Sequence, residues 1–364
     1  MPRIPFIEAR FFEPTENRHT LEQRFRLHLQ KLREAKGDEA YDLSEILGPE
    51  PESLCSSPLV STEDVRKISR RTKRLLDRRD ASSGLAHLKA EDRERLQALR
   101  NGVELIRIPN EHRADELAAE LHAGMPWLAP ATDIVWQAMR RSVREGWTGL
   151  RLPPLLLDGS PGLGKSFWAR RLGACLSAPT TVIEATGENT SFSVVGSQRG
   201  WSSAHPGRVL ETALASRIGN PVIVVDEVEK AGDATSSKGQ SFNLADSLLP
   251  LLEPVTARNW SCPYFQVRFD MSWIIWVLTS NDFRRLPAPL LSRCPPIALR
   301  DITAADLTEF ARREGASRHL SPAAIDATCA AIDRFGHRSD RLSLRSVTRL
   351  LDHAVKLAHQ PQFH

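Results

Sequence analysis

Gly159-Ser160-Pro161-Gly162-Leu163-Gly164-Lys165-Ser166 fits the phosphate-loop pattern G-x-x-x-x-G-K-[ST]. Glycines at these spacings let the backbone fold around a polyphosphate. The N–H groups at the head of the following helix then point at its oxygens. Lys165 is expected to reach the β- and γ-phosphates, and the Ser166 hydroxyl to hold Mg²⁺. Phe167, next in the chain, is grouped with these nucleotide-binding residues. Downstream, Pro221-Val-Ile-Val-Val-Asp226-Glu227 is an apolar run that ends in two carboxylates. On a buried strand those carboxylates would stand at the C-terminal edge of a sheet, where open α/β sheets bind ligands. Asp226 would hold the metal through its water shell, and Glu227 would polarise the attacking water as general base. A third run, Trp273-Ile-Ile-Trp-Val-Leu-Thr279-Ser280-Asn281, ends in polar residues. Asn281 can hydrogen-bond the attacking water or the γ-phosphate; the competing reading is a turn-forming Asn after a strand. The chemistry implied is a nucleotide polyphosphate bound with Mg²⁺ and attacked by water.

The elements that must position these residues are legible in the flanking pattern. Leu155 to Leu157 reads as a buried strand before the glycine loop. Phe167, Trp168, Leu172 and Leu176 after it are spaced for one apolar helix face. Further strands are expected at 180–184, 221–226 and 273–279, with helices at 207–218 and 241–252 between them. Helices near 115–122 and 132–144 precede the loop. Strands alternating with helices imply an α/β fold, a parallel sheet with helices on both faces. After about residue 299 the pattern turns all-helical. Thr303 is an N-cap for 304–314, Ser321-Pro322 opens a second helix, and a last one runs over 344–359. Three regions result: a mostly helical one over 1–111, a nucleotide-binding α/β domain over 112–298, and a small helical lid over 299–364.

Residues 1–111 differ in character. Leu21, Phe25, His28, Leu29 and Leu32 predict an amphipathic helix over 17–36, and Leu47 to Pro58 reads as a linker. Ser61-Thr-Glu-Asp64 starts a strongly basic helix, Val65 to Arg79. That helix is either a partner or nucleic-acid surface, or a solvated face with Val65, Ile68 and Leu75 turned inward. Helix is also expected over 91–99, and a strand over 103–108.

The whole composition is that of a soluble globular chain: 364 residues, 41% hydrophobic, 26% charged and a net charge of +4. Such a mild charge demands neither nucleic acid nor membrane as partner. Cys55, Cys175, Cys262, Cys294 and Cys329 are scattered and never form a C-x-x-C pair, which argues against a disulfide framework and a zinc site. The start lacks a signal-peptide apolar region, and no run approaches membrane length. A cytoplasmic protein is expected.

Taken together, Gly-x-Pro-Gly-x-Gly-Lys-Ser, Val-Val-Asp-Glu, Thr-Ser-Asn and Pro289-Leu-Leu-Ser-Arg293 resemble an AAA+ ATPase, most of all the ATPase module of Lon proteases. Three stretches carry the narrower likeness: Trp201-Ser-Ser-Ala-His-Pro-Gly-Arg208, Leu248-Leu-Pro-Leu-Leu-Glu-Pro254 and Tyr264-Phe-Gln-Val-Arg-Phe-Asp270-Met-Ser272. The resemblance covers about 112–360. It implies that Asn281 is sensor 1 and that Arg293 is an arginine finger reaching nucleotide held by a neighbouring subunit. A finger acting in trans implies a homo-oligomeric ring, usually of six. Arg345 best matches sensor 2 on the lid, with Arg341 its competitor. Trp201 falls where the family has a pore-facing aromatic, although Ser202 follows it where the family has an aliphatic residue; the alternative is a buried Trp. No counterpart of Lon's Ser-Lys peptidase domain is seen, so no intrinsic proteolysis is expected.

The reading that follows is an ATP-hydrolysing ring motor that remodels or unfolds a protein client or adaptor recognised through residues 1–111. Its competitors are a nucleic-acid-linked ATPase using the basic helix, and an ATP-gated assembly switch.

Overall fold

A computed structural model describes residues 2–13, 15–38, 60–186, 190–199, 204–231, 234–235, 241–336 and 343–358. Two compact units result: residues 8–97, and residues 1–7 together with 98–364.

The described residues of the 8–97 unit form three helices: α1 (Arg18–Asp38), α2 (Thr62–Ser83) and α3 (Ala90–Gln97). The start of α2 is fixed by a capping box, in which Ser61 and Asp64 satisfy each other's backbone N–H groups. Gly84, at φ +75°, ends it in the left-handed conformation that glycine adopts without steric cost. Leu21, Ile68, Leu85, Leu88 and Leu96 are buried, whereas Lys67, Arg70, Arg71, Arg74 and Arg78 are exposed.

In the larger unit, β1 (Arg3–Ile4) pairs antiparallel with β2 (Val103–Glu104). The strand expected over 103–108 is thus two residues long, because its partner offers only two. The main sheet has five parallel strands: β3 (Leu155–Asp158), β4 (Thr180–Glu184), β5 (Val222–Asp226), β6 (Ile275–Ser280) and β7 (Pro296–Ala298). Their order is β7-β3-β6-β5-β4, so β6 lies next to the strand that leads into the glycine loop and β5 lies one strand further out. Alternate residues of a strand face opposite sides. Accordingly Leu155, Leu157, Val222, Val224, Ile275 and Val277 share one core with α4 (Glu111–Gly124), α5 (Ala129–Arg144) and α6 (Lys165–Cys175). Leu156, Ile223, Val225 and Leu278 are fully buried on the other side. Helices α7 (Arg208–Ser216), α8 (Leu244–Leu252) and α9 (Ala288–Arg293) complete this α/β body. The helical lid comprises α10 (Ala304–Ser317), α11 (Pro322–Gly336) and α12 (Leu344–Ala358), and its Leu307, Phe310, Ile332, Leu344 and Val347 join the same core. Cys175, Cys262, Cys294 and Cys329 are free thiols, and burial pushes Cys294 up to about 12.

One buried polar residue ties the edge of this unit together. Asn220 is fully buried, and its Oδ1 accepts from Ile106 N–H at 2.8 Å while its Nδ2 donates to the Ile106 and Leu150 carbonyls at 2.9 and 3.1 Å. Replacement by alanine orphans the Ile106 N–H and the Leu150 carbonyl, each costing about 1–3 kcal/mol when left unpaired, while the Ile106 carbonyl keeps the Leu150 N–H. Asn220→Ala is therefore expected to destabilise the fold by about 2 kcal/mol or more, read as a lower midpoint in urea. An unchanged midpoint would mean that water replaces the amide without loss.

Candidate nucleotide site

The glycine loop takes its shape from both neighbours. Gly162 and Gly164 have φ of +89° and +85°, values that L side chains rarely adopt. Space forbids a side chain there as well. A Cβ on Gly162 would stand 2.6 Å from Cβ of Ser343, and one on Gly164 would stand 2.6 Å from Cδ2 of Leu344. The lid therefore rests directly on the loop, and Leu344 N–H donates to the Gly162 carbonyl at 3.1 Å. From below, the Trp127 indole N–H donates to the Leu163 carbonyl at 2.8 Å.

Lys165 opens α6 and is only 7% exposed. Its Nζ donates to the Gly159 and Ser160 carbonyls and, at 2.9 Å, to Oδ1 of Asn281. Among the described residues no carboxylate lies within ion-pairing distance of it. Burial holds this ammonium below the ordinary lysine pKa, against the opposing pull of the Asp158, Glu229, Asp226 and Glu227 charges. A desolvated cation in a glycine cradle, with only carbonyl oxygens as partners, is an anion site. Such a charge is costly until a negative group reaches it. Lys165→Ala is accordingly expected to abolish ATP binding, measured with a fluorescent nucleotide. Parent affinity in that variant would overturn the assignment.

The carboxylates arrive on the neighbouring strands. Register pairs Leu278 of β6 with Val225 of β5, so Thr279 comes beside Asp226. Asp226 Oδ1 accepts from both the Ser166 hydroxyl, at 2.6 Å, and the Thr279 hydroxyl. This cluster of hydroxyl and carboxylate oxygens is the donor chemistry that a hard cation such as Mg²⁺ takes. Glu227 follows at φ +55°, with its N–H donating to Thr279 Oγ1 at 3.0 Å. Its carboxylate pairs with Lys230 at 2.8 Å, and hydrogen bonding to Glu227 raises the Lys230 pKa. Asn281 is held by Glu229, whose Oε1 accepts from its backbone N–H at 3.1 Å and from Nδ2 at 2.9 Å. An acceptor-only carboxylate draws the amide nitrogen to itself, which leaves Oδ1 facing Lys165.

Pro161 to Phe167, Asp226, Glu227, Asn281 and Arg345 thus surround one cavity of about 450 Å³. Gly159 and Ser160 stand behind it, their carbonyls held by Lys165. The structure adds residues that sequence reading passed over: Arg170, Glu184, Thr279, Thr348 and Arg349 also line the cavity. Glu229 joins through Asn281. Thr279 was visible as part of Thr-Ser-Asn, and Arg349 lies one helical turn beyond Arg345; the others carry no local signal. Arg293 is elsewhere. It lines a separate cleft of about 720 Å³, where Nε lies 3.6 Å from Glu253 and a terminal nitrogen donates to the Pro289 carbonyl at 3.1 Å. Trp201 and Arg341 lie outside the described residues.

Comparison with known proteins accords with this geometry. Residues 155–301 match the ATPase family associated with various cellular activities (AAA). Curated relatives include the peroxisomal Lon protease homolog 2 of Pichia angusta, 31% identical over 208 residues, which is 56% of this chain and 22% of that protein. Lon protease 2 of Thermus thermophilus is 30% identical over 203 residues, 54% of this chain and 25% of the relative. The chain thus spans about a quarter of the length of these relatives. Among solved structures, a closed-state cryo-EM reconstruction of Hsp104 with ATPγS and FITC-casein shares the fold. Its TM-score is 0.51 at 15% identity, covering 81% of this chain and 51% of that one. No helix of the described residues is long and apolar enough to cross a membrane. The chain carries an AAA-family ATPase domain related to the ATPase region of Lon proteases.

Proposed function

We propose that this protein is the ATP-hydrolysing subunit of an AAA+ ring that remodels or unfolds a protein partner. The observation that carries the reading is the buried, carboxylate-free Lys165 ammonium facing Ser166, Asp226, Glu227 and Asn281 across one cavity. The loop N–H groups and Lys165 bind the phosphates, Ser166 and Asp226 hold Mg²⁺, and Arg345 contacts nucleotide from the lid. Bound Mg²⁺ neutralises charge on the β- and γ-phosphate oxygens. Glu227 accepts the proton of the attacking water, with its carboxylate first released from Lys230. Asn281, whose Oδ1 faces Lys165, orients that water.

Arg293 in its separate cleft supports a finger that serves a neighbour's site, hence a closed ring, with six the usual number. In this reading residues 112–298 are the nucleotide domain, 299–364 the lid, and 1–111 the region that recognises client or adaptor. Free, buried thiols support work in the reducing cytoplasm.

ATP hydrolysis measured with an unfolded protein, and separately with DNA or RNA, tests the reading. Stimulation by unfolded protein supports it; stimulation by nucleic acid alone overturns the remodelling role. Trp201 is the residue proposed to grip the client, because an indole offers contact area indifferent to client sequence. Trp201→Ala is expected to remove the stimulation by unfolded protein while the melting temperature stays near that of the parent. A sharply lowered melting temperature would mark Trp201 as core instead.

A further inference from the structure

The basic helix poses a question that the nucleotide site leaves open. Arg70, Arg74 and Arg78 are spaced four residues apart on α2, one row on one face. All three are exposed, and among the described residues no carboxylate pairs with them. Their neighbours in the row are accounted for. Lys67 pairs with Glu63 at 2.9 Å, and the Arg71 guanidinium lies over the Phe25 ring, 5.5 Å from its centre. Like charges at this spacing destabilise a helix, and among the described residues no ion pair offsets them. The row also does not lie on a flat surface. With Phe25 of α1 and the half-buried Leu75 it lines a groove of about 590 Å³.

Geometry narrows what fits. The row is about 12 Å long, with steps of about 6 Å. Side chains on one face of an extended peptide recur every two residues, about 6.6 Å. Three alternate carboxylates of an extended segment therefore meet three successive guanidiniums, and the intervening side chains of the segment face away. Charge argues against a long polyanion. Over residues 8–97, Lys and Arg equal Asp and Glu in number, so the unit has no net positive charge to hold a long phosphate backbone. The aromatic ring argues the same way. Single-stranded nucleic acid stacks bases on open aromatic faces, and the Phe25 face is already covered by Arg71.

We propose that the α2 groove of the 8–97 unit docks a short, extended, acidic polypeptide segment of the partner protein, its carboxylates on Arg70, Arg74 and Arg78. The proposal rests on the reading that the ring acts on a protein, and it names the surface and the chemistry by which that partner is held.

Fluorescence anisotropy on the full chain tests it, with a labelled peptide of alternating Asp and Leu as probe and single-stranded oligo-dT of equal charge as comparison. The peptide is expected to bind saturably and more tightly than the oligonucleotide, and to weaken as salt rises. Arg70→Glu, Arg74→Glu and Arg78→Glu together should weaken it at least about tenfold. The triple lysine variant, which keeps the charge, should retain most of the binding, and far-UV circular dichroism checks that both variants keep their helices. Neither variant should alter peptide-free ATP hydrolysis, since none of these side chains lines the nucleotide cavity. Peptide binding no tighter in the parent than in the triple Glu variant overturns the proposal. So does tighter binding of the oligonucleotide that the Glu variant abolishes. A chain that binds peptide through this row yet hydrolyses no ATP supports the groove and overturns the motor reading instead.

Discussion

Replacing Arg293 with alanine is expected to lower ATP turnover by about 10³–10⁵-fold while ATP still binds, since arginine fingers contribute rate on that scale. Arg293 closes α9, and its guanidinium lies beside Glu253 and the Pro289 carbonyl, in a cleft that shares no residue with the nucleotide cavity. Its Nε is buried without a hydrogen-bond partner, the 3.6 Å approach to Glu253 being too long for one. The test of geometry is a mixture of Arg293→Ala with Lys165→Ala chains. Each lacks what the other supplies at a shared interface, so activity should return if subunits exchange. Full turnover by an isolated Arg293→Ala monomer would remove both the finger and the ring.

Glu227→Gln is expected to bind ATP normally and to hydrolyse it about 10²–10⁴-fold more slowly, the usual contribution of a positioned base. The position is held with care. Glu227 adopts the left-handed conformation at φ +55°, which costs a non-glycine residue about 1–2 kcal/mol. The Thr279 hydroxyl secures it by accepting the Glu227 N–H. Gln keeps the shape and the backbone hydrogen bond to Thr279 and removes the negative charge that pairs with Lys230 and takes the proton, so the variant separates chemistry from binding. The slow variant should also hold ATP and partner together long enough for pull-down. Turnover at the parent rate would exclude Glu227 as the base.

Much of this site was legible because its parts are local. A phosphate loop needs positive φ at fixed glycines followed by Lys-Ser at a helix start, and those demands fall on eight adjacent residues, Gly159 to Ser166. Strands β5 and β6 were legible for a related reason. A strand buried on both faces must be apolar throughout, as Val222–Val225 and Ile275–Leu278 are. Strand β7 was not, since three residues beginning with a proline at a sheet edge carry no run. Helix over 241–252 was expected, but it begins only at Leu244, where the Asn243 side chain caps it by accepting from Ala245 N–H at 2.7 Å.

The sequence by itself determined the fold class, the helical regions on either side and the candidate nucleotide-site residues from Gly159 to Ser166 with Asp226, Glu227 and Asn281. Each announces itself through the types and spacing of near neighbours. Only the tertiary structure decided what depends on strand order and register. Because β6 inserts between β3 and β5, Thr279 meets Asp226, Glu229 captures the Asn281 amide, and Lys165 reaches Asn281 across 116 positions of chain. Packing of the lid on the loop likewise brought Arg349 to the cavity and gave Gly162 and Gly164 a second reason to be glycine. In the 8–97 unit the basic run was plain, but α1 had to lie against α2 before Phe25 could turn a charged stripe into a groove. Short-range spacing reports which side chains share a face; which faces meet is set by burial of the whole core, and no local pattern encodes that.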